Sequence, residues 1–307
     1  MNKYFTLLTF FVLSALSGIC QTANDTIWKK GLFVSANINQ VSFSNWAAGG
    51  ENSVAINGFL NSYANYKKDN VIWDNNLDLS YGLNQIGDED LKKNEDRIEY
   101  TGKLGYAIKN SKKWYYTALL NVKTQFANGY DYTNEDPIVI SRFAAPAFTV
   151  FSLGIDYKPS EHLSAYISPI SNKNTFVLDD ILSNQGAYGV DSGKNIRTEM
   201  GAYLNVRYKQ EVIENVTLIS QIDLFSNYLE DPQNVDLNFS LMLVMKVNKY
   251  ITANFSTQFI YDDNTPISVY EGSGSAKKLV GVGPRLQSKQ VFGVGLGYKI
   301  TKSKLAK

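Results

Sequence analysis

The sequence has 307 residues, of which 44% are apolar, 13% aromatic and 19% charged, with 30 Lys and Arg against 29 Asp and Glu. So even a balance excludes the basic surface that non-specific nucleic-acid binding needs, and the aromatic content excludes a disordered or collagen-like chain. Lys3 lies in the segment read below as removed, so the mature chain carries 29 charges of each sign.

Residues 1–20 have the three-part pattern of a secretory signal peptide: Lys3, an apolar run over 4–16, then Ser17 and Gly18. The run is too short to span a bilayer as a helix. A lipoprotein signal needs a small residue before Cys20, and Ile19 stands there; cleavage after Cys20 is expected instead. Cys20 is the only cysteine, so a mature chain from Gln21 has no disulfide, thiolate metal site or cysteine nucleophile. Residues 21–31 are expected to form a periplasmic N-terminal segment.

From Leu32 onward the chain alternates with period two, the mark of strands with one apolar and one polar face. Leu32, Val34, Ala36 and Ile38 enclose Ser35 and Asn37; Ile56, Leu60 and Ala64 alternate with Asn57, Asn61 and Asn65; Trp73, Leu77, Leu79 and Tyr81 alternate with Asp74, Asn76, Asp78 and Ser80. Ile98, Tyr100, Leu104 and Tyr106 alternate with Arg97, Glu99, Thr101 and Lys103. Further runs cover 114–126, 147–157, a short 163–167, and 196–208, where Met200, Leu204 and Val206 interleave with Arg197, Glu199 and Arg207. Runs at 216–225, 235–247, 251–261 and 290–300 bring the total to twelve strands.

Connections alternate in length. Short links are expected at 67–70, 110–113, 159–162, 211–215 and 248–250, and long ones at 42–52, 86–95, 128–146, 168–195, 226–234 and 262–287. Short turns on one side and long loops on the other, with runs of about 10 residues, are the signature of an outer-membrane barrel. Trp28, Tyr66, Trp73, Tyr106, Trp114, Tyr116, Tyr157, Tyr208, Tyr250 and Tyr298 fall at the turn ends of their runs, where an aromatic girdle belongs. The fold class is therefore all-β: a membrane-spanning, antiparallel up-and-down barrel over 32–300 with short periplasmic turns, long extracellular loops and a basic periplasmic tail at 301–307.

Four local strings carry a resemblance: 43–53 (FSNWAAGGENS), 73–82 (WDNNLDLSYG), 143–147 (FAAPA) and 224–229 (LFSNYL). They resemble an uncharacterised Bacteroidota family of predicted outer-membrane proteins classified as domain of unknown function 3078, over nearly everything after Trp28. The resemblance implies the Gram-negative outer membrane and the barrel. The family has no agreed activity, so it supplies no functional residue. The triplet Asp25-Thr26-Ile27 also resembles the short acceptor signal for periplasmic O-glycosylation in that phylum.

Charges of both signs fall on the polar positions and are the lumen-lining candidates: Asp78, Arg97, Glu99, Lys103, Lys123, Arg197, Glu199, Arg207 and Asp223, with Asp236 beside them. Folding the third and fourth strands about their loop places Asp78 opposite Lys103, and the next hairpin places Glu99 opposite Lys123, predicting two cross-strand ion pairs. These charges either select small polar solutes at a constriction or pair and plug the interior. The only histidine, His162, falls in a turn at the periplasmic end, away from the rim where a barrel hydrolase would need it; no catalytic residue and no cofactor are expected.

Loop clusters Asp88-Glu89-Asp90, Asp131 with Asn134-Glu135-Asp136, Asp179-Asp180 and Asp262-Asp263-Asn264 read as solvated loops. The second and fourth also offer oxygen ligands for loop-bound Ca²⁺, without EF-hand spacing. The string 272–278 (GSGSAKK) lacks the Gly-Lys-Ser/Thr ending of a phosphate loop, and Gly293, Gly295 and Gly297 would leave the inner face of the last strand bare. The expected partners are outer-membrane lipid, the barrel-assembly machinery during biogenesis, and other outer-membrane proteins; nucleic acid is excluded. Two functions stay open: a narrow channel for passive passage of small polar solutes, or a closed barrel serving as scaffold or accessory subunit of a larger outer-membrane secretion or assembly complex.

Overall fold

The computed structural model describes residues 27–43, 51–132, 136–265, 267–271 and 278–303. Residues 1–20, the expected signal peptide with Cys20, and residues 21–26, Trp46, Asn134, Glu135, most of 272–278 and the last four residues of the chain lie outside them.

The strands are β1 (Ile27–Val41), β2 (Ser53–Lys68), β3 (Val71–Ile86), β4 (Lys92–Ala107), β5 (Trp114–Thr124), β6 (Gly129–Asp131), β7 (Ile138–Ser141), β8 (Ala147–Tyr157), β9 (Leu163–Phe176), β10 (Ile196–Ile213), β11 (Val216–Asn227), β12 (Val235–Lys246), β13 (Ile251–Tyr261), β14 (Ile267–Glu271), β15 (Lys278–Gly283) and β16 (Gln287–Ser303). Twelve of them close a barrel in the order β1-β16-β13-β12-β11-β10-β9-β8-β5-β4-β3-β2, every pairing antiparallel. The pairs β6–β7 and β14–β15 are small hairpins inside two of the long loops. Closure leaves no exposed sheet edge, which is what allows strands to cross a bilayer.

The alternation is realised as an inside and an outside. Val34, Ile56, Leu104, Phe151, Leu153, Ile167, Phe292 and Leu296 are exposed apolar side chains on the outer face, while Ser35, Asn37, Asn57, Asn61, Ser80, Glu99 and Lys103 are buried within. An apolar surface of this extent belongs in hydrocarbon rather than water. At the turn end, Trp28, Tyr66 and Trp73 share one rung across β1, β2 and β3, with Trp28 centroids 5.3 and 6.2 Å from the other two. Trp114 lies 4.3 Å from Tyr157 on the next side of the ring.

Several boundaries differ from the expectation. The barrel strands extend from Ile27 to Ser303 rather than over 32–300, so parts of the expected N-terminal segment and tail are barrel wall. β4 begins at Lys92, which shortens the expected loop 86–95 to 87–91. The expected short seventh run continues to Phe176, reducing the loop after it to 177–195. Pro169 breaks the apparent alternation, yet it sits in a bulge where the missing N–H costs no ladder bond. Ser168 seals that bulge by donating to Leu153 O (2.7 Å) and accepting from Ile170 N (3.2 Å).

The glycine face of β16 is not bare. A Cβ on Gly295 would collide with the Ala36 carbonyl oxygen, and one on Gly293 would lie 2.8 Å from Asn37 Cβ. Glycine there lets β1 approach closely where the first and last strands close the ring, so β1 backbone and side chain occupy the space the sequence left empty.

Candidate functional site: the barrel interior

Inward positions fill the barrel unevenly. On the β5, β8, β9, β10 and β11 side, Leu119, Val150, Tyr166, Tyr203 and Phe225 form a buried apolar cluster. Tyr166 and Tyr203 meet edge to face at 6.3 Å, and the Tyr166 hydroxyl is 2.8 Å from Ser152 Oγ. Lys103 reaches into this block from β4: its Nζ donates to Ser164 Oγ (3.0 Å), stands 3.7 Å from Asp156 Oδ2 and lies 5.3 Å from the Tyr166 ring centroid. Ser164 in turn donates to Asp156 Oδ1 at 2.7 Å. A fully buried carboxylate is tolerable when cation and hydroxyl answer it together.

The predicted Asp78–Lys103 ion pair does not form. The β3–β4 register sets Asp78 against Glu99 and Asp74 against Lys103, a four-residue offset that follows from the tighter 87–91 turn and a register shift at Gly82/Leu83. Like charges facing each other would repel, and each is answered separately: Asp78 accepts from Asn61 (2.6 Å) and Asn76 (2.5 Å), while Glu99 accepts from Asn121 (3.2 Å) and lies 3.7 Å from Arg97. Asp74 is engaged by Lys158. Glu99 and Lys123 are direct cross-strand neighbours, as expected from the sequence, but the ion pair predicted between them is not made: the cation within 4 Å of Glu99 among the described residues is Arg97.

The remaining candidates divide between wall and mouth. Arg207 Nη2 donates to Asn76 Oδ1 across the barrel at 2.8 Å. Asp223 has three neutral donors, Tyr203 Oη (2.5 Å), Asn205 Nδ2 (2.7 Å) and Gln221 Nε2 (2.9 Å). Toward the loop end, Arg197 bridges Glu199 (3.3 Å) and Glu230 (3.0 Å). Lys173 gathers Asp236 (2.6 Å), Glu199 (3.5 Å) and Asp262 (4.0 Å). Its ammonium thus stands against the fourth acidic cluster, one of the two that offer oxygen ligands for Ca²⁺. Among the described residues no group of three or more His, Cys, Asp or Glu is arranged to hold a metal.

Loop 177–195 packs at this mouth. Its short helix α1 (Asp180–Asn184) is capped by Asp179, which accepts from Leu182 N and pairs with Arg142 at 3.1 Å. Val177, Leu182 and Val190 bury against Ala145 of the neighbouring loop. Gly189, at φ +76°, passes over Arg197: a Cβ there would be 2.5 Å from Nη1. At the opposite end, in the turn 158–162, Lys29 donates to Glu161 Oε1 (2.5 Å) and holds that carboxyl below its usual range. His162 occupies the same turn, exposed, with Nδ1 3.1 Å from Lys209 O.

Opposite the filled block, between β1–β4 and the β10–β13 and β16 walls, lies a cavity of about 120 Å³. Its charged lining is three acids and three bases: Asp78, Glu95, Glu99, Arg97, Arg207 and Lys289. Lys289 donates to Glu95 at 2.6 Å. Lys103, Lys123, Arg197, Glu199 and Asp223 do not line it. Glu95 and Lys289 went unremarked in the sequence because each lay beyond the expected end of its strand. Asp156 and Lys173 were missed for related reasons: Asp156 closes its run, and Lys173 follows Pro169.

A closed ring of twelve strands, apolar outside and charged within, is a membrane-spanning β-barrel fold. Residues 38–130, from the end of β1 to β6, match the model of a family described as protein of unknown function (DUF3078), so the resemblance seen in the sequence holds over that segment. No curated protein matches the chain. Among solved structures it is similar to an outer membrane channel from Pseudomonas putida F1 (13% identity, 93% of this chain and 98% of that one, TM-score 0.37). It is also similar to the translocator domain of autotransporter NalP from Neisseria meningitidis (10%, 96% and 95%, TM-score 0.33) and to the NanC porin (11%, 91% and 100%, TM-score 0.33).

Proposed function

We propose that this protein is an exported outer-membrane barrel of a Gram-negative bacterium and works as a narrow channel for passive passage of small polar solutes. The observation that carries this reading is the cavity of about 120 Å³ beside the filled side of the barrel, whose charged lining has equal numbers of acids and bases. A twelve-strand ring lies between eight-strand barrels, filled by side chains, and porins of 16–18 strands with an aqueous channel. Here the β5, β8, β9, β10 and β11 side of the interior is filled in the first manner. The lumen residues proposed to meet solute are Asp78, Arg97, Glu99 and Arg207; Lys103, Lys123, Arg197, Glu199 and Asp223 brace the wall. The outer face, where Leu296 and Tyr298 of the last strand are exposed, is read as facing lipid and, during assembly, the barrel-insertion machinery.

A second reading, a closed barrel acting as scaffold or accessory subunit of a larger outer-membrane complex, is favoured by the sealed Leu119–Tyr166–Tyr203–Phe225 block and by loop 177–195 lying over Arg197. Single-channel recording of the refolded protein in a planar bilayer separates the two. Discrete conductance whose reversal potential moves toward cations in Lys289→Glu supports the channel. A folded but silent barrel overturns it in favour of the scaffold.

A further inference from the structure

We propose that the cavity is a binding site for small uncharged polyhydroxylated solutes, polyols and monosaccharides, and not for ions. The inference rests on the channel reading for how the solute reaches the site, and it goes further by naming what the site accepts. The lining charges are already spent on the protein. Glu95 takes Lys289, Glu99 takes Arg97 and Asn121, Asp78 takes two asparagine amides, and Arg207 gives one N–H to Asn76. With three acids against three bases, the lining has no net charge to offer an ion.

What is left over is mostly neutral, and it is both donor and acceptor. Asn57, Asn254, Thr257 and Arg97 line the cavity, and their Oδ1, Oδ1, Oγ1 and Nε atoms are buried with no hydrogen-bond partner among the described residues. Asn57 and Asn254 are only 8% and 4% exposed, and Asn254 is held in place by donating its Nδ2 to Asn37 Oδ1 (3.0 Å). Buried polar atoms of this kind need a partner, from water or from ligand. A carboxylate has no proton for the two amide oxygens, and an ammonium has no lone pair for Arg97 Nε. A hydroxyl supplies both, so a chain of hydroxyls matches the whole set where neither ion does.

The test uses the refolded full-length barrel and two five-carbon probes of similar size, arabinose and the corresponding aldonate, arabonate. Entry is followed by liposome swelling, and binding by saturation-transfer NMR in detergent. The expected result is faster entry and tighter binding for arabinose. Asn254→Leu and Asn57→Leu should each weaken arabinose binding by about fivefold, the effect of one neutral hydrogen bond. Asn254→Val, a β-branched residue suited to a strand that also lacks the amide oxygen, gives the same readout should the leucine variant fail to fold. Equal entry and binding of arabinose and arabonate, or binding untouched by Asn57 and Asn254 variants, overturns the polyol assignment and leaves the channel standing. Arabinose binding without any solute entry overturns the channel and keeps the site. Neither entry nor binding removes both.

Discussion

Lys103 and Asp156 form an ion pair inside the barrel wall, Nζ to Oδ2 3.7 Å, with side-chain exposures of 7% and 0%. The partner comes from β8, not from β3 where the local pattern had placed it. Because the pair is desolvated, removing one member leaves an uncompensated buried charge. Lys103→Met is expected to destabilise the barrel by about 3–5 kcal/mol, and the double variant with Asp156→Leu by clearly less than the sum of the singles. Urea unfolding of the protein in lipid vesicles measures both.

The seam between the first and last strands depends on a missing side chain. Gly295→Val puts a branched Cβ into the Ala36 carbonyl, so the variant is expected to lose the compact, detergent-resistant form that shifts on a gel only after heating. Gly283→Ala, where an added Cβ meets nothing within 4 Å, should keep it.

Phe151 is 52% exposed midway along β8, and Ile213 is 69% exposed at a turn end. In a bilayer these positions differ in depth. Phe151→Arg should cost about 2–4 kcal/mol and Ile213→Arg about 0–1. Equal costs by denaturant titration in vesicles would contradict the membrane orientation proposed above.

The Glu161 carboxyl is held below its usual range by Lys29. Its contribution to stability is therefore present above the ordinary glutamate pKa and is lost as pH falls through the lowered value. At side-chain exposures of 44% and 79% the pair is worth under about 1 kcal/mol. Glu161→Gln should lower stability at neutral pH by under about 1 kcal/mol, leave it unchanged in acid below the lowered pKa, and so flatten the acid limb of a stability profile slightly.

Inside and outside were legible from residues alone, because strand side chains alternate whatever the partner strand is. Val34 against Ser35, and Leu104 against Lys103, needed no knowledge of neighbours, and the girdle tyrosines and tryptophans followed from where the runs ended. Pro169 misled the same reading: a bulge is a property of two strands, and its effect on one looks like an ending.

Register was the harder matter. Asp78 opposite Glu99, and Lys103 beside Asp156, depend on the length of the 87–91 turn and on shifts accumulated around the ring, none of which is written in either strand. The cavity depends on it too. Asn57, Asn254 and Arg97 come from β2, β13 and β4, and only closure of the barrel places them on one space. A twelve-stranded barrel with an apolar exterior and a charged interior could be read from the residues, since period and connection length are local. Tertiary structure alone decided which interior charges are spent on one another and which polar atoms remain free, since that is settled by contacts between residues far apart in the chain.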